Sequence, residues 1–113
     1  MPYDEDLANR VRAALAELDG ITEQVMFGGL VFLLGGNIAV GVSSHGDLIV
    51  RLDPDAGARL LARPHTAPFP SAARRMRGWL RVGPEAIRTR RQLEPWVARG
   101  VSFAATLPPK RGR

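Results

Sequence analysis

The chain has 113 residues, enough for one domain and too few for two. Its 45% hydrophobic and 24% charged residues are those of a globular protein rather than a disordered one, and the absence of cysteine excludes disulfides, thiolate zinc sites and cysteine nucleophiles. The net charge of +5 is spread unevenly: three arginines stand against nine acids from Met1 to Gly57, and twelve arginines and one lysine against two acids from Ala58 to Arg113.

Met1 to Asp6 is acidic and polar, the opposite of a signal peptide, and points to a cytoplasmic protein. From Asp4 to Asp19 the apolar positions Leu7, Val11, Ala14, Leu15 and Leu18 recur at helical spacing, with acids at the start and Gly20 at the end. Val25 to Val42 is about as long as a membrane span, but glycine pairs and Asn37 divide it into strands and turns, so no membrane partner is expected. The spacing predicts strands over Thr22 to Phe27, Leu30 to Leu34, Ile38 to Val42 and Leu48 to Leu52. Gly35-Gly36-Asn37 and Ser43 to Asp47 are the turns between the later ones. Connections this short make neighbours antiparallel.

Asp53-Pro54 is a helix start, and the helix should run to about Ala62. Arg63 to Ser71 holds three prolines and reads as an extended loop. Met76 to Val82 reads as the last strand, stopped by Gly83-Pro84. A final helix is expected from about Gln92 to Leu107, with Leu93, Trp96, Val97, Val101, Ala104 and Ala105 on its apolar stripe. Pro95 argues for a start near Arg91 or later, because proline is tolerated in a first turn and not beyond it. The expected architecture is α+β, a two-layer sandwich. Its mainly antiparallel sheet has about five strands, in the order α-β-β-β-β-α-β-α. Residues 1–107 are expected to form the domain and 108–113 a short basic tail, mobile from Lys110 to Arg113.

Little in the sequence offers bond-making chemistry. His45 and His65 sit in separate loops, and none of the four serines lies in a Gly-x-Ser-x-Gly elbow. Neither Gly28-Gly29 nor Gly35-Gly36 is followed by Lys-Ser/Thr or opens a helix, so both read as bulges or tight turns. No catalytic residue, metal or cofactor is expected. The densest cationic stretch runs through Arg74, Arg75, Arg77 and Arg81, with Arg88 and Arg91 close behind. On a strand, Met76, Gly78, Leu80 and Val82 would face the core, and Arg77, Trp79 and Arg81 would face away. Two guanidiniums beside an indole suit phosphates and a stacked base, or a partner's side chain. The competing reading covers Trp79 and pairs its arginines with the acids of the first half.

Several segments together resemble the TfoX/Sxy N-terminal domain family. They are Tyr3-Asp4 with its helix, Met26-Phe27-Gly28-Gly29, Asn37 to Val42, Met76-Arg77-Gly78-Trp79, and Trp96-Val97-Ala98-Arg99-Gly100 running to Phe103 and Leu107-Pro108. The resemblance covers nearly the whole chain. It implies a two-layer α+β domain with an antiparallel sheet, and regulators of bacterial competence genes that act with a transcription factor rather than as enzymes. Members named for that role carry a second, helical domain, and this sequence is expected to be the N-terminal domain alone. The resemblance carries over no catalytic residue. Its motif positions Met26, Phe27, Gly28, Gly29, Met76 and Gly78 read equally as packing or as binding positions. The expected function is a non-enzymatic regulatory domain working through another protein, a transcription factor being the candidate. Direct nucleic-acid binding through the Arg/Trp face is the alternative, a small-ligand site or enzyme the weakest reading, and a homodimer remains open.

Overall fold

A computed structural model describes residues 3–26, 28–71, 73 and 76–110. The first helix, α1 (Glu5–Ala14), starts where Asp4 accepts the backbone N–H of Leu7 at 2.9 Å and where Glu5 and Asp6 face the positive end of the helix dipole. It buries Leu7, Ala8 and Val11. The helix is shorter than its periodicity suggests. The Leu15 N–H is shared between the carbonyls of Val11 and Arg12, a tightened last turn. The chain then leaves the helical path, and Leu18 is exposed rather than in the core.

A meander follows: β1 (Ile21–Met26), β2 (Gly29–Leu34), β3 (Asn37–Val42) and β4 (Leu48–Arg51), each antiparallel to the next. Gly35 and Gly36 both have positive φ, 59° and 81°, which the two-residue turn between β2 and β3 requires of its central pair. In the next turn the Ser43 hydroxyl accepts the N–H groups of His45 and Asp47. The next helix, α2 (Pro54–Leu60), is capped by Asp53, which accepts from Asp55 and Ala56.

The proline-rich segment is not all loop. Thr66–Pro68 forms an edge strand, β5, against β6 (Trp79–Val82), and the sheet has six strands in the order β1-β2-β3-β4-β6-β5. Proline is admitted because an edge strand has one side without ladder partners. Met76 to Gly78 are a turn and not the start of β6: the Trp79 N–H reaches the Met76 carbonyl at 3.1 Å, and Gly78 has φ of 85°. Met76 is therefore exposed, whereas Leu80 and Val82 are fully buried.

The last helix, α3 (Arg90–Ala105), begins before the proline-based limit. Thr89 and Gln92 form a reciprocal capping box that fixes the start, so Pro95 lies inside the helix. Pro95 is on the exposed face, and the helix is held from the opposite side by buried Leu93, Trp96, Val97, Gly100 and Ala104; Ala105 is exposed. The segment after it is tied down as far as Lys110, whose N–H donates to Gly35 O at 2.8 Å, while the Asn37 side chain donates to Pro108 O. Arg111 to Arg113 lie outside the described residues.

Helices α1 and α3 cover one face of the sheet. Between them and the strands sit Phe32, Val40, Val42, Leu48, Val50, Leu80 and Val82, each less than 2% exposed. Burying each such side chain stabilises the fold by about 1.5–3 kcal/mol. The opposite face carries Val31, Gly41, Ile49 and Arg81 in one cross-strand row, with Phe69 folded back onto Trp79 and Arg81. This is the expected two-layer α+β sandwich, with one more strand at its edge. No helix among the described residues is long and apolar enough to cross a membrane.

Candidate functional site

The cationic stretch singled out in the sequence is broken up by the fold. Arg74, Arg75 and the motif residue Phe27 lie outside the described residues. Arg77 is in the Met76–Gly78 turn, where its guanidinium is 4.0 Å from the Asp55 carboxylate and both side chains are well exposed. Arg81 does point away from the core, but it is neutralised. It meets Asp47 at 2.9 Å and donates to Pro70 O at 2.8 Å, with the Phe69 ring 5.5 Å away. Trp79 is half-buried, with Arg51 5.4 Å from its ring centre and the Phe69 ring 6.0 Å from it. The expected alternation from Met76 therefore holds only for Trp79 to Val82. Arg81 is paired with a first-half acid, as the competing reading had it, whereas Arg77 only approaches Asp55 at 4.0 Å with both side chains well exposed to solvent.

Gly28, with φ of 69°, turns the chain between β1 and β2. A Cβ on Gly29 would collide with the Val42 carbonyl, and one on Gly78 with the Leu52 carbonyl. The Gly78 carbonyl also accepts the Leu52 N–H at 2.7 Å, so this glycine joins the start of β6 to the end of β4. Met26 lines a small apolar cavity together with Val31, Ile38 and Ile49 on the second face of the sheet.

Four further arginines, Arg59, Arg63, Arg91 and Arg99, line an open cleft along α3 that faces α2 in one half and the turn after α2 and Glu85 in the other; Arg10, Arg51 and Lys110, outside it, also have no ion pair among the described residues. Arg59 lies on α2, and Arg63 lies one turn beyond it, where its N–H bonds to Leu60 O. Arg91 and Arg99 are eight residues apart on α3, and Arg88 is exposed just before it. Arg91 and Arg99 both border the cleft from α3, while Arg59 reaches it from α2 and Arg63 from the turn that follows. One half of the cleft, about 610 Å³, includes Arg59, Arg99, Ser102 and Phe103; the other, about 460 Å³, includes Arg63, His65, Glu85, Arg91, Trp96 and Arg99. Arg99 is at the junction of the two.

Trp96 forms the floor and is 4% exposed. The Arg99 guanidinium carbon is 4.7 Å from its ring centre and that of Arg63 is 5.8 Å away. Cations over an indole gain roughly 0.5–2 kcal/mol, which helps hold two like charges in one place. Neither has a carboxylate within ion-pair distance among the described residues, and all eleven acids of the sequence fall there. Nη1 of Arg99 is buried without a hydrogen-bond partner. Its pKa is held below the ordinary arginine value, first by burial and then by repulsion from Arg63.

Two acids border this cleft, and both are engaged. Asp53 caps α2, and Glu85 is 3.8 Å from Nδ1 of His65, with both side chains about half exposed. His45 is at the other turn, exposed, with its Nδ1 3.4 Å from Ser44 Oγ. The described residues contain no group of three or more His, Asp or Glu placed to hold a metal. Arg59, Arg63 and Arg99 were not among the expected site residues. Their trace in the sequence is the four-residue step from Arg59 to Arg63 and the eight-residue step from Arg91 to Arg99.

No curated protein matches the chain, and no solved structure does. The model of the TfoX N-terminal domain matches residues 13–104, which spans the sheet, both halves of the cleft, the end of α1, all of α2 and nearly all of α3, and the chain belongs to that family.

Proposed function

We propose that this domain is a non-enzymatic regulatory module, a transcription co-regulator that acts by holding another protein, and that the α2–α3 cleft is the surface it presents. The observation that carries this reading is the gathering of Arg59, Arg63, Arg91 and Arg99 around one cleft while Arg81 is paired with Asp47 and Arg77 stands apart beside Asp55. Exposed guanidiniums gathered without carboxylate partners, with one buried nitrogen of Arg99 lacking an acceptor, favour a partner that brings acceptors. Charge of this kind also speeds encounter with an acidic surface. Membership of the TfoX N-terminal domain family is compatible with a regulatory role.

The test is site-specific photocrosslinking in the native cell, with the photoreactive residue at Arg91 on the cleft rim or at Glu17 far from it. The reading expects a discrete protein adduct from position 91 and none from position 17. Equal adducts from both positions, or none from either, would contradict it.

Direct nucleic-acid binding is a second reading, supported by exposed Arg91 on the cleft and by exposed Arg88 just before it in the chain. In that case the adduct at position 91 would be removed by nuclease, and binding would weaken steeply with salt as counterions are released.

A further inference from the structure

We propose that the α2–α3 cleft is a phosphomonoester site, in which Arg99 and Arg63 grip the phosphoryl group of a phosphorylated side chain over the floor made by Trp96. The inference rests on the contact-surface reading and narrows it to the chemical group recognised.

Three features lead to it. Two guanidiniums lie within 5.8 Å of one indole, and both border the same half of the cleft. One of their nitrogens, Nη1 of Arg99, is buried without an acceptor. Arg59 and Arg91 stand at either end of the cleft and add charge of the same sign. A buried donor with no acceptor is costly to the folded state, and because this nitrogen is closed to solvent a ligand recovers that cost by drawing the Arg99 guanidinium outward into the cleft.

The charge and valence select the ligand. A carboxylate offers two oxygens and one negative charge, and a single guanidinium satisfies it side by side. Two guanidiniums on one cleft call for more acceptors and more charge. A phosphomonoester has three terminal oxygens and a charge near −2 at neutral pH, so it can take the fork of Arg99 and that of Arg63 together. A nucleic-acid phosphate is a diester with one charge and two free oxygens, and matches the pair less well. Trp96 does not stack on a base, because it is buried and lies beside two guanidiniums.

The test uses the full chain labelled with nitrogen-15. Arginine Nε–Hε resonances are followed while sodium phosphate replaces sodium chloride at constant ionic strength, and then during titration with a short phosphoserine peptide, its unphosphorylated form, and a single-stranded oligonucleotide without terminal phosphates. The expected result is saturable movement of the Arg63 and Arg99 resonances with phosphate. The phosphopeptide should bind more tightly than free phosphate, and the unphosphorylated peptide should not bind. Arg99→Gln should weaken phosphopeptide binding by about tenfold or more, as expected for loss of a charge-assisted fork. Arg63→Gln, at an exposed position that leaves the core untouched, should do the same. Arg77→Gln should leave it unchanged.

Movement that does not saturate, equal movement with chloride, or equal affinity for the oligonucleotide would overturn the proposal. So would phosphate binding that survives both Arg63→Gln and Arg99→Gln. A protein adduct at position 91 together with no response to phosphate would retain the contact surface and reject the phosphoryl group.

Discussion

Replacing Gly100 by alanine sets two effects against each other. In an ordinary helix interior alanine is favoured over glycine by about 1 kcal/mol, because it restricts the unfolded chain and adds no strain. Gly100, however, lies where α3 comes down on β3. A Cβ there would stand 2.8 Å from Val40 Cγ1 and 3.0 Å from the Ala39 carbonyl carbon, and closer still to the carbonyl oxygen. Ordinary contact begins near 3.4 Å, so the helix would have to lift by roughly half an ångström or more. A strand carbonyl cannot swing aside as a side chain can. The overpacking cost should therefore lie toward the upper end of the usual range of about 1–3 kcal/mol. The net expectation is destabilisation by about 2 kcal/mol, a fall in Tm of roughly 8 °C for a domain of this size. Thermal unfolding followed by circular dichroism, with urea unfolding to check that the m-value is unchanged, measures it. A Tm equal to or above that of the parent would refute the reasoning, because propensity would then have outweighed the contact. Gly100 also bears on function, since Trp96 and Arg99 ride on the same helix.

Other outcomes follow from the same geometry. Gly78→Ala should cost more than about 2 kcal/mol by denaturation, combining left-handed strain with a collision against the Leu52 carbonyl; an unchanged midpoint would contradict it. Arg99→Met should leave the phosphate-free domain as stable as the parent or raise it by up to about 1 kcal/mol, since it removes a buried unpaired donor and a repulsion at the expense of a cation–indole contact. A loss above about 1 kcal/mol would mean that this guanidinium has a partner in the free protein. Glu23 has its pKa lowered by the hydrogen bond and charge of Arg12. Its contribution should be full above the ordinary glutamate pKa of about 4.3 and be lost as pH falls through the lowered folded value. Both side chains are more than a third exposed, so screening holds the effect to less than about 1 kcal/mol. Glu23→Gln should therefore cost stability at neutral pH and nothing once Glu23 is protonated, flattening the acid limb of stability against pH; a loss of equal size at neutral and at strongly acid pH would argue against the pair.

The meander was legible because its turns are written in local chemistry. Gly35-Gly36 and the Ser43 to Asp47 loop need no distant partner to be recognised. Asp53 and Thr89 are equally local, although Pro95 obscured the second by suggesting a later start. What could not be read were features decided across the fold. Thr66 to Pro68 pairs only because β6 offers an edge. Leu18 has helical spacing but leaves the helix before it can reach the core. Arg77 and Arg81 look like the natural cationic site until Asp55 and Asp47, distant in sequence, are brought beside them. The cleft is the converse case. Arg63 and Arg99 are unremarkable singly, and only the fold brings them together over Trp96, with Arg59 in the adjoining half of the cleft.

The most direct measurement is a nitrogen-15 resonance titration of the domain with the protein recovered by crosslinking at position 91. The account predicts that perturbed signals map to α2, Arg63 and the Arg91 to Arg99 face of α3, and that the turn at Arg77 is undisturbed. Perturbations centred on Arg77, Trp79 and Arg81, with the cleft unchanged, would contradict it.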